Sequence, residues 1–345
     1  MQARAATTVE GVTAPAGSLT AAIESGLPRT GVTGLSGGVQ RLMTAYRSGE
    51  VPASPVLATR ADAAAYAAYR MPATAAAVTL AARELARAVP GFAPARLLDV
   101  GAGTGGASWA IATELASIGA VTLLEQSAEA IRLGRAILAA APSAALRQAT
   151  WQSWRLPAEA RALTALPGAD LTVCSYVLGE LTMAQQAELT RLAMGSAPVL
   201  LAVEPGTPAG QARILSARAQ LLQAGWRIAA PCPHEQECPL AAAADWCHFA
   251  ARLPRSAVHR QAKGAELAYE DEKFSYVAAV APDQAAPRPP AMRVVRRPQQ
   301  RKGLVLLEVC AADGTSRRAL VSKSMGESYK AARKAAWGDA LDEPG

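Results

Sequence analysis

No stretch of about eighteen or more consecutive apolar residues occurs in the chain, which excludes a membrane-spanning helix. Residues 1–30 lack the charged start and leucine-rich stretch of a secretory signal and read as a flexible Ala/Gly/Thr tail. Internal repeats are absent as well. Cysteine is scarce, with five in 345 residues. Without a signal, these five are expected in a reducing, cytoplasmic setting. There, clustered cysteines more often bind metal than pair as disulfides.

What is present is a long, alanine-rich chain. At 345 residues it exceeds one comfortable core, so one main domain with substantial additions is expected. The 51% hydrophobic content is ample for a globular fold, although much of it is alanine, which favours helix and buries little area. The net charge of +7 is uneven. Residues 251–345 hold 17 basic and 11 acidic side chains, so six of the seven excess positive charges lie there. A basic terminal segment beside a neutral, enzyme-like region is the footprint expected for a polyanion, most simply RNA; the plainer alternative is a solvated surface.

Helical stretches are expected at 38–47, 62–69 and 72–89, the last with Pro72 in its first turn and Pro90-Gly91 at its end. Short apolar runs at 121–125, 171–176 and 199–204 read as buried parallel strands. They alternate with helical patterns at 128–140, 183–194 and 211–224, which gives a Rossmann-like, doubly wound α/β sheet. Residues 231–248 carry cysteine, proline and histidine without a helical or strand period, and 274–280 resumes as a last sheet strand. Runs at 292–296, 304–310 and 318–322, with Asp313-Gly314 as a hairpin turn, form a small β unit that a basic helix at 327–337 closes. The expected units are a tail (1–30), an N-terminal helical region (31–90), a nucleotide-type core (91–230), a cysteine-rich metal-binding segment with the last sheet strand (231–281), and a linker, basic β unit and C-terminal helix (282–345).

Leu97-Leu98-Asp99-Val100-Gly101-Ala102-Gly103-Thr104-Gly105-Gly106 is a strand followed by a glycine loop. The loop also satisfies the dinucleotide pattern, so the glycines alone do not choose a ligand. Asp99 does. A carboxylate two residues before the first glycine repels a pyrophosphate but favours the ammonium and sulfonium of S-adenosylmethionine. Glu125, closing the second strand, is placed to accept both ribose hydroxyls. The expected cofactor set is therefore Asp99, Gly101, Gly103, Gly105 and Glu125, in a class I methyltransferase fold. After the fourth strand, the Asn/Asp-Pro-Pro-aromatic sequence of amino-methylating nucleic-acid enzymes is missing from Cys174-Ser175-Tyr176-Val177-Leu178-Gly179-Glu180. Cys174 reads as a buried core cysteine. Ser175, Tyr176 and Glu180 are the residues best placed to line the pocket, and no catalytic residue is assigned.

Cys232-x5-Cys238-x8-Cys247, with His234 and His248 interleaved, is a thiolate constellation for zinc or an iron–sulfur cluster. A fourth ligand is needed, from His234, His248 or the distant Cys310. The basic residues gather in three runs: Arg252, Arg255, Arg260 and Lys263 after the cysteines, Arg288, Arg293, Arg296, Arg297, Arg301 and Lys302 in and beyond the linker, and Arg317, Arg318, Lys323, Lys330, Arg333 and Lys334 in the tail. If they meet phosphates, binding is strongly salt-dependent.

Several of these segments together resemble the small-ribosomal-subunit assembly, methyltransferase-like family found in bacteria and mitochondria. The resemblance covers about residues 60–339. It rests on Tyr69-Arg70-Met71-Pro72-Ala73-Thr74, the glycine loop, Val203-Glu204-Pro205-Gly206-Thr207-Pro208, Pro231-Cys232-Pro233-His234, Asp245-Trp246-Cys247-His248-Phe249, Phe274-Ser275-Tyr276 and Trp337-Gly338-Asp339. It implies a [4Fe-4S] cluster on Cys232, Cys238, Cys247 and Cys310, and association with small-subunit rRNA and ribosomal proteins during assembly. Three functions are thus in view: an rRNA-bound assembly factor that binds S-adenosylmethionine and methylates a base, a non-catalytic RNA-binding module, and a small-molecule methyltransferase with structural zinc. No membrane partner is expected, and oligomeric state is not legible.

Overall fold

The computed structural model describes residues 16–27, 37–41, 44, 56–157, 165–254 and 269–341. Eight strands build the main sheet: β1 (Arg96–Val100), β2 (Ala120–Glu125), β3 (Thr150–Ser153), β4 (Leu171–Ser175), β5 (Val199–Pro205), β6 (Arg227–Ala230), β7 (Phe249–Pro254) and β8 (Tyr269–Val280). Their order is β3-β2-β1-β4-β5-β8-β6, with β7 paired to the outer part of β8. Strands β1 to β5 are parallel, whereas β8 runs antiparallel to β5, β6 and β7. This is a class I methyltransferase-like sheet. The chain winds outward from β1 to β3, then returns to β4 and winds the other way. The β1/β4 boundary is therefore the switch point, where loops at the carboxyl ends part and leave a crevice.

Helices on both faces explain the uninterrupted apolar runs. Every residue of β4 is buried. On one face the Met71–Ala88 helix packs against the Gly106–Glu114 helix, with Ala73, Ala75, Ala76, Ala77, Ala81 and Ala82 buried. Alanine removes little area per residue, but it lets backbones approach closely, so an alanine-rich chain still fills this layer. The Met183–Met194 and Pro208–Gln223 helices cover the other face. Thr182 and Gln185 form a capping box on the first, and Thr207 caps the second ahead of Pro208.

The second sheet comprises β9 (Met292–Val294), β10 (Gln299–Arg301), β11 (Leu304–Ala311), β12 (Ser316–Ser322) and β13 (Ala340–Leu341), with the Glu327–Lys334 helix against it. Gly314 takes a left-handed φ of 82° at the β11–β12 turn, where the Asp313 carboxylate accepts from the Thr315 N–H and hydroxyl. Side chains alternate along β11. Val305, Leu307, Val309 and Ala311 enter this unit's core, and Cys310 points to the opposite face.

Two expectations change. Part of the tail is a helix, Ala16–Gly26, whose Leu19, Ala22 and Ile23 lie at helical spacing, are buried, and join the main core beside the Ala128–Leu138 helix. Strands β3 and β7 escaped notice because Thr150–Ser153 is short and mostly exposed, and Phe249–Pro254 follows directly on the aperiodic cysteine segment. Of the helix expected at 38–47, residues 37–41 and 44 are helical and the others lie outside the described residues.

Candidate functional site

The crevice at the switch point is a cleft of about 220 Å³ lined by Tyr66, Gly101, Gly103, Glu125, Trp154, Arg155, Ser175, Tyr176 and Glu180, among others. Gly101, Gly103 and Gly105 all take left-handed φ values, of 72°, 56° and 88°. A Cβ on Gly101 would stand 2.5 Å from Val177 Cγ2, and one on Gly103 would stand 3.3 Å from the Tyr66 ring. Only glycine turns the chain this way and leaves that room. Glu125 braces the loop: its Oε2 accepts from the Gly103 N–H and its Oε1 from the Ser127 N–H, both at 2.8 Å.

Asp99 sits beneath the loop and does not line the cleft. It is fully buried, and Oδ2 accepts from the Ser108 N–H (3.1 Å) and hydroxyl (2.7 Å), tying β1 to the helix that follows. Its Oδ1, like the buried Thr104 hydroxyl in the same loop, has no protein partner. Burial pushes the Asp99 carboxyl up to about 7, against the pull of its Ser108 bonds. Burial, reinforced by the Glu125 and Glu204 charges, pushes Glu180 up to about 8. Arg155 is the one basic residue among the described residues of the cleft lining.

Tyr176 ends β4 with a φ of 57°, a left-handed conformation that a bulky residue adopts only under constraint. The constraint is visible. Its hydroxyl donates to Glu272 Oε1 (3.0 Å), Arg70 binds both oxygens of the same carboxylate (2.9 and 3.0 Å), and the guanidinium lies 5.2 Å from the Tyr176 ring centroid. Arg70 and Glu272 are missed by sequence reasoning, since they are 202 positions apart with no local signal. Glu204 is buried; it accepts from the Leu178 N–H (3.0 Å) and pairs with Arg213 (2.7 Å), fixing the turn that carries Glu180. Cys174 is 4% exposed in the core, and burial raises its thiol pKa.

The second constellation brings Cys232, Cys238, Cys247 and Cys310 together. Cys238, Cys247 and Cys310 pack in one cluster, and the Cys232 thiol lies within electrostatic reach of the other three. Burial pushes the Cys310 thiol up to about 12 and raises those of Cys232 and Cys247, with neighbouring thiols adding to the rise. Among the described residues, no three His, Cys, Asp or Glu side chains stand at metal-holding geometry. The donor set is nevertheless four soft thiols, three from the segment between β6 and β7 and one from β11, with the unpartnered Arg218 Nε and Arg293 Nη2 buried nearby. That chemistry fits a multiply charged thiolate centre. His234 Nε2 is 3.3 Å from Cys310 Sγ, whereas His248 stacks on Trp246 and meets the edge of Trp337.

The expected RNA-binding residues divide. Arg293 is corrected: it is 1% exposed, pairs with Glu84, and donates to the Pro231 (3.0 Å) and Gly338 (2.8 Å) carbonyls, so it joins the C-terminal unit to the core and reaches no phosphate. Arg296 pairs with Asp245, and Arg252 with Asp271 (2.7 Å), so both are already engaged. Arg297, Arg301 and Lys302 are exposed and form no ion pair among the described residues. Arg255, Arg260 and Lys263 lie outside the described residues. No helix among the described residues is long and apolar enough to cross a membrane.

A family model described as the mitochondrial small ribosomal subunit protein Rsm22 matches residues 60–342. The human mitochondrial ribosome assembly protein METTL17 is 28% identical over 295 residues, which cover 80% of this chain and 61% of METTL17. The Rsm22-cox11 tandem protein 2 of Schizosaccharomyces pombe, also mitochondrial, is 30% identical over 191 residues, covering 41% of this chain and 24% of that protein. The chain thus spans less than two thirds of the length of these relatives. Similar solved structures include precorrin-6y C5,15-methyltransferase from Geobacter metallireducens (16% identity, TM-score 0.37, 59% of this chain and 87% of that one). Magnesium protoporphyrin IX methyltransferase from Synechocystis, solved with bound S-adenosylmethionine, is another (15% identity, TM-score 0.35, 60% and 76%).

Proposed function

The chain belongs to the family of the mitochondrial small ribosomal subunit protein Rsm22, and on that premise we propose that it is a small-subunit assembly factor that binds S-adenosylmethionine and engages the subunit through its rRNA. The observation that carries this reading is the span of the family match: residues 60–342 include the cleft, the four cysteines and the C-terminal β unit together. In the cleft, the left-handed glycines would let backbone approach the cofactor, Glu125 would accept its ribose hydroxyls, and Asp99 would hold the loop from below with one oxygen in reserve. When bound, that cofactor supplies an electrophilic methyl group. Ser175, Tyr176 and Glu180 line the end of the cleft where an acceptor would enter.

Cys232, Cys238, Cys247 and Cys310 are the proposed ligands of a [4Fe-4S] cluster that staples β11 to the segment between β6 and β7, with zinc as the alternative occupant. Arg297, Arg301 and Lys302 are the proposed phosphate contacts, together with Arg255, Arg260 and Lys263. A second reading, a non-catalytic assembly module, is favoured by the commitment of the Tyr176 hydroxyl to Glu272 and by the missing amine-methylation sequence. The relatives are mitochondrial by name. We place the chain with the ribosome it serves, and fractionation decides the compartment.

Sedimentation of the tagged chain with immature small subunits tests the central reading, and absence from those particles at low salt refutes it. Labelled methyl transfer to the particles, abolished by Glu125→Ala, would establish catalysis. Cofactor binding without transfer would establish the non-catalytic module. A colourless protein with one zinc, made anaerobically, would replace the cluster.

A further inference from the structure

Two buried guanidiniums stand beside the four thiols, each with a donor atom that nothing in the protein accepts. Arg218, 5% exposed on the Pro208–Gln223 helix, donates to the carbonyl of His234 (2.9 Å), two residues from Cys232, leaving Nε without a partner. Arg293, on β9, is committed at Nε and Nη1, but its Nη2 is unpartnered. Arg293 is the cross-strand partner of Cys310 and binds the Pro231 carbonyl beside Cys232, and Arg218 holds the backbone of His234, whose ring meets Cys310. A buried cation without a full set of acceptors is costly unless a negative group stands nearby. Glu84 partly balances Arg293. Arg218 has no carboxylate partner among the described residues.

Resting on the iron–sulfur reading above, we infer that Arg218 and Arg293 are positioning residues that offset the charge of the four-thiolate centre and set its reduction potential. Reduction adds one electron from an external low-potential donor, with no bond made or broken. The added negative charge is stabilised by adjacent N–H groups and positive charge, so both arginines raise the potential. Arg218 carries the larger share, because Glu84 already cancels part of the Arg293 charge. His234, 3.3 Å from Cys310 through Nε2, is a third donor to the same thiols when that nitrogen holds the proton.

The test is a dithionite titration of the anaerobically purified full chain, followed by electron paramagnetic resonance of the reduced cluster. The set is wild type, Arg218→Gln, Arg218→Lys and the Glu84→Gln/Arg293→Gln double variant. Arg218→Gln is expected to weaken reduction about tenfold, about 59 mV more negative for a one-electron couple. Arg218→Lys keeps the charge and should stay near wild type. The double variant should shift less, in the same direction, and it carries the test if Arg218→Gln loses its iron. Full iron occupancy with an unmoved potential in both neutralised variants overturns the inference while leaving the cluster intact. Wild-type protein without iron or sulfide overturns the cluster reading itself, and this inference with it.

Discussion

Gly101→Ala is the sharpest probe of the cofactor loop, because two separate costs can be read from its surroundings. Gly101 has a φ of 72°, where an L-residue costs about 1–2 kcal/mol. The added Cβ would also meet Val177 at 2.5 Å (Cγ2) and 2.8 Å (Cβ). Val177 cannot retreat freely, since it follows Tyr176, whose hydroxyl is held by Glu272 and whose backbone is itself left-handed. Overpacking of this kind costs about 1–3 kcal/mol. The sum is about 2–5 kcal/mol. Val177→Ala in the same chain removes the Cγ2 contact but keeps the Cβ contact, so the double variant should stand above Gly101→Ala by only part of the steric cost, about 1 kcal/mol. Urea denaturation at matched m-values measures stability, and equilibrium dialysis of S-adenosylmethionine measures the loop's function. If Gly101→Ala keeps both its midpoint and its cofactor affinity, the loop is not the built cradle described here. If Val177→Ala gives no rescue, the Cγ2 contact is not the cause.

Three further outcomes are expected. Glu84→Ala leaves the buried Arg293 guanidinium without its carboxylate and should cost about 3 kcal/mol in urea denaturation; a loss below about 0.5 kcal/mol would show that the two carbonyls suffice. Asp99 and Glu180 are held in the fold at about 7 and about 8, above their unfolded values, so their contribution to stability is complete at acid pH and is lost as pH rises through those values. The slope approaches about 1.4 kcal/mol per pH unit for each group, and Asp99→Asn with Glu180→Gln should flatten it; a profile unchanged in the double variant refutes the assignment. For RNA, Arg301→Glu/Lys302→Glu should weaken binding and lower the salt slope by about 2, while Arg252→Ala should leave the slope as it is, because Arg252 is bound to Asp271.

The parts of the fold legible in the sequence are those where local chemistry acts alone. The 183–194 pattern gives the helix at those bounds because Thr182 and Gln185 cap it within four residues, and the apolar run of β4 is a strand because both its faces are covered. The glycine loop is legible for the same reason: three left-handed turns need three glycines. Asp99 is a harder case. Its charge argues for a cationic ligand, but its place beneath the loop comes from Ser108, nine residues on, which no spacing rule singles out. Arg293 is harder still. Its sequence neighbours are basic, so it reads as part of a surface run, yet Glu84, 209 positions earlier, draws it inward. Charge composition counts such residues, and only tertiary partners say which of them face solvent.

That sorting separates the molecule's two electrostatic tasks. The cleft lining holds two acidic residues, Glu125 and Glu180, and one basic residue, Arg155, so it offers a phosphate backbone little positive charge. Among the described residues, exposed basic side chains outside any ion pair include Arg297, Arg301 and Lys302 on the C-terminal unit. A nucleic acid held there reaches the cleft only if the two units keep a fixed relation. The contacts that fix it include Arg293 to Glu84 and Pro231, Arg296 to Asp245, His248 to Trp337, and Cys310 facing the cysteines of the preceding segment. Four thiolates drawn onto one centre would add covalent strength to that joint. Loss of the centre should therefore loosen the grip on RNA before it disturbs the cleft, because the glycine loop and Glu125 depend on none of these contacts.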